Sequence, residues 1–156
     1  MKMLRGIIRV HPFLAALLLV SALASLARAG ADPVNRDSHG VALRGYDAVA
    51  YHTRQEAVHG EKAYAYEWNG AIWYFTSAGN RELFAENPER YAPQFGGYCA
   101  WAVGHDYIAD GDPTAWSIVD GKLFLNYNKQ VQALWLEEIP QLIEKGNGNW
   151  PKLLLR

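Results

Sequence analysis

This 156-residue chain contains one cysteine, Cys99, and that scarcity excludes much. A single thiol cannot close an internal disulfide, and no pair of closely spaced cysteines is present to hold a structural zinc. The helical two-histidine pattern of metalloproteases and the glycine-rich loop that cradles phosphates are also missing. Long apolar runs are scarce too. Only Phe13 to Ser25 is almost wholly apolar, and it is shorter than the roughly 20 residues needed to cross a bilayer.

That run sits in a recognisable context. Met1 to Arg9 carries Lys2, Arg5 and Arg9 with no acid, and Ala27-Arg28-Ala29 supplies a small-x-small pattern. Together these read as a secretory signal peptide over residues 1–29, cleaved after Ala29, with a periplasmic or secreted destination and no membrane attachment afterwards. Residues 30–156 suit one domain with one core. Losing Lys2, Arg5, Arg9 and Arg28 leaves 11 Lys and Arg against 16 Asp and Glu, a formal charge of −5. An acidic surface argues against nucleic acid, whose phosphates need a basic face. Nothing in the pattern sets an oligomeric state.

Aromatic residues are plentiful, with six Trp and nine Tyr, and they organise the chain. Residues 30–44 read as an irregular N-terminal segment, and Gly45 to His52 as a turn followed by a short strand. Asn69-Gly70 and Asp120-Gly121 each suit a two-residue type I′ hairpin. The first would place Trp68 opposite Ala71, Tyr66 opposite Trp73 and Tyr64 opposite Phe75. The second puts Trp116, Ile118, Leu123 and Leu125 on one face. Ser77 caps a helix to about Glu86 that buries Leu83 and Phe84, and Asn87-Pro88 opens a short turn. Gly97 to Val103 reads as a short helix stopped by Gly104. Asn128 caps a last helix, kinked or restarted at Pro140 and ended by Gly146. The expected fold is α+β: a small antiparallel sheet built from two β-hairpins, each followed by a helix, in a single domain. The order repeats an architecture without a convincing repeat of sequence.

Cys99 is the first candidate for chemistry. Alone it can be a buried apolar residue, a metal ligand, a reactive thiol or a link to another chain. A thiolate with one or two imidazoles suits copper or zinc, since soft sulfur and borderline nitrogen accept both ions. His105 is the nearest partner in sequence and His52 the second, which gives a metal set of Cys99, His105 and His52, with copper ahead of zinc. The alternative is a non-catalytic small-ligand or protein-interaction module with a buried structural cysteine, its aromatic groove formed by Tyr46, Tyr98 and Trp101. A Cys–His nucleophile is a third reading. It leaves enzymatic activity open, with a binding role favoured.

Several segments resemble the YHS-domain family in its exported single-domain form. They are Gly45-Tyr46-Asp47-Ala48-Val49-Ala50-Tyr51, Asn69 to Phe75 with Ser77, Phe84, Asn87 to Tyr91, and Gly96-Gly97-Tyr98-Cys99-Ala100. Asp120 to Tyr127 and Trp150-Pro151 extend the likeness, so residues 45–156 read as a YHS-like domain. Shorter members of the family resemble metal-binding units with cysteines near the second strand and the following helix. The matching positions here are Thr76 and Asn80, and neither is a thiol. The resemblance implies the fold directly and a metal ion as the partner class, and it draws Cys99 into the exported form's pattern.

Overall fold

A computed structural model describes residues 30–156; the expected signal peptide lies outside the described residues. Ten regular elements follow in order: α1 (Ala48–Thr53), β1 (Glu61–Trp68), β2 (Ala71–Phe75), α2 (Ala78–Glu86), α3 (Pro88–Tyr91), α4 (Ala100–Gly104), β3 (Asp112–Val119), β4 (Lys122–Asn126), α5 (Lys129–Glu137) and α6 (Ile139–Leu153). Two hairpins, each followed by a helix, make one mixed helix–strand domain, and each hairpin is its own two-stranded antiparallel sheet.

Both hairpin turns have the left-handed backbone that a type I′ turn requires, at Asn69 (φ 50°) and Gly70 (φ 75°) and at Asp120 (φ 50°) and Gly121 (φ 72°). Trp68 pairs with Ala71 and Tyr66 with Trp73, as the dipeptide dictates, but Phe75 pairs with Glu61 rather than Tyr64. A bulge absorbs the difference, and the second ribbon carries the same shift between Asp112 and Trp116.

Three local expectations are corrected. Residues 48–53 form a helix, not a strand, because Asp47 caps them, its Oδ1 accepting from the amides of Val49 (2.8 Å) and Ala50 (3.2 Å). In α2 only Phe84 is buried, while Leu83 faces solvent. The last helix breaks at Glu138, restarts with Pro140 in its first turn, and then runs through Gly146 and Pro151 to Leu153. Gly146 stays helical because α6 packs closely here: a Cβ at this position would stand 2.7 Å from the Phe95 ring. Tertiary contact outweighs glycine's poor helix propensity.

The core has two clusters that meet at β4. Leu123 and Leu125 join Tyr51, Trp73, Phe75 and Phe84, whereas Phe124 packs with Phe95, Trp135 and Leu142. Alternation along one strand thus serves both halves. The segment before Gly45 has no α-helix or long strand, only a 3-10 turn at Leu43–Gly45, yet Val34, Ala42 and Leu43 are buried in the first cluster. No helix among the described residues is long and apolar enough to cross a membrane.

Candidate functional site

Two buried polar centres stand out, one in each half. The first is Asp47, which has no exposed surface. Besides the two helix amides on Oδ1, its Oδ2 accepts from the Thr76 amide (2.8 Å), the Thr76 hydroxyl (2.8 Å) and Asn80 Nδ2 (2.7 Å). Asn80 Nδ2 also lies 3.2 Å from the Thr76 hydroxyl oxygen. Five donors close on one carboxylate and tie the start of α1 to the end of β2 and the first turn of α2. Charge-assisted hydrogen bonds of this kind are among the stronger ones.

The second centre is Cys99, the N-cap of α4. Its residue is 1% exposed, its amide donates to the Ala109 carbonyl (2.8 Å), and it bridges in parallel to Leu125. Sγ accepts from the Tyr127 amide at 3.2 Å and lies 3.8 Å from Asn126 Oδ1. Burial pushes the thiol pKa above its ordinary value, against a downward pull from the amides of Ala102, Tyr127 and Trp101. Because sulfur caps weakly, Asn126 does the capping in its place, Oδ1 accepting from the Trp101 amide at 3.2 Å. Asn126 Nδ2 is buried without a partner.

Above the sulfur opens a cleft of about 230 Å³, lined by Cys99, Trp101, Ala102, Tyr107, Tyr127 and their neighbours Ala109 and Val131. Tyr107 and Tyr127 form its exposed rim. The wall is apolar and aromatic with a thiol at its base, which suits a small flat or apolar ligand.

The residues singled out in the sequence do not all meet. His105 is the C-cap of α4. Its ring stacks on Trp101 with centroids 3.9 Å apart, and Nδ1 sits 2.7 Å from the Trp101 carbonyl. A carbonyl only accepts, so Nδ1 carries a proton and Nε2 is the ring nitrogen that can serve as a ligand. His52 sits in the other half, edge-on to Tyr91, with Nε2 buried and unpartnered and its pKa lowered by burial. Among the described residues no group of three or more His, Cys, Asp or Glu side chains comes together around a metal-sized point. Cys99, His105 and His52 are therefore not a preassembled triad. The aromatic set also divides. Tyr46 packs on His59 in the first half (3.8 Å), Tyr98 packs on Trp150 in the second (5.8 Å), and only Trp101 lines the cleft. No motif marks Tyr107, Tyr127 and Val131 as site residues in the sequence, because they come from the loop after α4 and from the β4–α5 junction.

The geometry defines a class first: a small mixed helix–strand domain in which buried polar centres cap short helices. Residues 49–95 match the family model of the YHS domain. No curated protein and no solved structure matches the chain. YHS domains are associated with metal binding. The positions that the resemblance assigns to a ligand pair, Thr76 and Asn80, do not fit such an ion here. Both turn their donors onto Asp47, and the carboxylate's lone pairs are taken by N–H and O–H groups.

Proposed function

We propose that this chain is an exported, non-catalytic binding protein whose site is the cleft over Cys99, taking a small aromatic or apolar ligand about the size of an indole ring. One observation carries the reading: the cleft has aromatic walls and, at its base, a buried thiol. Export rests on the basic, apolar and small-x-small segments of residues 1–29. The test is calorimetric titration of residues 30–156 with indole. Binding with a Kd on the order of 0.1–1 mM is expected for so few atoms, weakened by Val131→Asp. Absence of binding to the native chain would sink the reading.

A second reading has its own support. The family's association with metals, the amides directed at Cys99, and a neighbouring His105 whose Nε2 can serve as a ligand favour a soft transition metal in the periplasm, copper ahead of zinc. Side-chain rotation about Trp101 would be needed to complete it. Copper(I) binding by the native chain that disappears in both Cys99→Ser and His105→Ala would establish it. Loss in neither variant would remove both residues as ligands.

A further inference from the structure

The backbone of the first half is retraced in the second. Leu43, Arg44 and Gly45 have φ of 51°, 50° and 83°; Phe95, Gly96 and Gly97 have 54°, 61° and 84°. Three consecutive left-handed residues are a rare path for an L-chain. Each path ends in the same turn, with the Tyr46 amide donating to Leu43 and the Tyr98 amide to Phe95, both at 3.0 Å. A helix N-cap follows in each case, Asp47 or Cys99. The amide of Asp47 donates to the Val58 carbonyl and that of Cys99 to Ala109, both at 2.8 Å. Tyr46 bridges to His59 and Tyr98 to Asp110.

The agreement continues through the hairpins. β1 and β3 each have 8 residues, β2 and β4 each 5, and α2 and α5 each 9. The bulged pairs Glu61 with Phe75 and Asp112 with Asn126 coincide. Ser77 caps α2 through the Asn80 amide, and Asn128 caps α5 through that of Val131. The fully buried Phe84 falls on the fully buried Trp135. Gly-Tyr-x-Ala-x-Ala stands at 45–50 and again at 97–102.

Matching the two halves element by element pairs Asp47, Thr76 and Asn80 with Cys99, Tyr127 and Val131. The Thr76 amide donates to Asp47, and the Tyr127 amide donates to Cys99. We infer that residues 43–86 and 95–137 are two copies of one folding unit, and that the open cleft over Cys99 is the same position of that unit which, in the first copy, Asp47, Thr76 and Asn80 close. The first copy fills the position with a hydrogen-bonded carboxylate. The second carries a thiol, a phenol and an isopropyl group in their place, and with the Tyr127 phenol at the exposed rim a cleft stays open over the sulfur. That the cleft takes a ligand rests on the proposed function; the equivalence of the two positions does not.

A substitution that would ordinarily be ruinous provides the test. A carboxylate placed in a buried apolar site is strongly destabilising, but Cys99→Asp would restore the first copy's capping group to a position already ringed by amides. Asn126, with Nδ2 unpartnered, can donate to it. Cys99→Asp is expected to melt within about 5 °C of the native chain, while Leu125→Asp, one bridge away and equally buried, unfolds. Adding Tyr127→Thr and Val131→Asn to Cys99→Asp is expected to raise the melting temperature above the single variant and to abolish indole binding. A Cys99→Asp chain as damaged as Leu125→Asp, or a triple variant less stable than the single one, would overturn the inference. If the stability order holds while the native chain binds no indole, the duplication stands and the proposed binding role falls.

Discussion

The Asp47 centre and the Cys99 centre occupy like places in the two halves and differ in completeness. Around Asp47 every lone pair of a buried carboxylate has a donor, so the node fastens three segments and leaves no vacancy. Around Cys99 the acceptor is a weak one, a neighbouring amide has taken over the capping, one donor has no partner, and a cleft opens. The lesson is that a domain can spend one copy of a position on holding itself together and keep the other available. The half that matches the family model is the closed one.

The contrast can be broken most directly at Asp47. Asp47→Ala leaves five donors facing an empty space and is expected to cost about 3–5 kcal/mol in urea unfolding; a loss under 1 kcal/mol would mean that the node is not structural. Phe84→Ala and Trp135→Ala, the paired core aromatics, should each cost ~3–5 kcal/mol within a single cooperative transition. Two separable transitions would show that the halves do not share a core. Gly146→Ala should cost about 1–3 kcal/mol through its clash with Phe95, measured by the same unfolding curve. Cys99→Ala is expected to lose only about 1–2 kcal/mol, well short of Asp47→Ala; equality of the two would erase the difference drawn above.

The smallest effect is on pH dependence. Burial raises the pKa values of Cys99 and of Tyr51, whose hydroxyl donates to the Pro113 carbonyl at 2.9 Å. The folded chain therefore holds these protons where the unfolded chain releases them. Their contribution is intact below about pH 8 and is lost progressively as pH rises from the unfolded-state values of about 8.5 and 10 toward the higher folded-state ones. Melting temperature should fall on that alkaline limb, and alkylation of Cys99 by iodoacetamide should keep accelerating past pH 9. A rate plateau near pH 8 would show that the amides, not burial, govern the thiol.

Local chemistry made much of the fold legible. Asn69-Gly70, Asp120-Gly121, Ser77 and Asn128 each specify a turn or cap through their own side chains and backbone freedom, and each is found where the sequence places it. Gly45 to His52 misled because a short apolar run has no periodicity to separate helix from strand; Asp47 was the signal that decided it. Gly146 misled because a long packed interface kept α6 helical through a residue that ends exposed helices. Cys99 was legible as a candidate, but its surroundings were not, since the cleft is assembled from α4, the loop after it and the β4–α5 junction. The likeness of the halves hid behind a one-residue change in spacing between α1 and β1 and the substitution of Asp47 by Cys99.

The two-faced packing of β4 has a consequence for how the chain comes to be folded at all. Leu123 and Leu125 complete the apolar cluster around Trp73 and Phe84, yet they follow the end of the family match by about 30 residues. A polypeptide emerging in order from a ribosome presents its first hairpin and helix well before that strand arrives. Until then the first cluster lacks Leu123 and Leu125. The last step of closure belongs to the second half, so the two become native together.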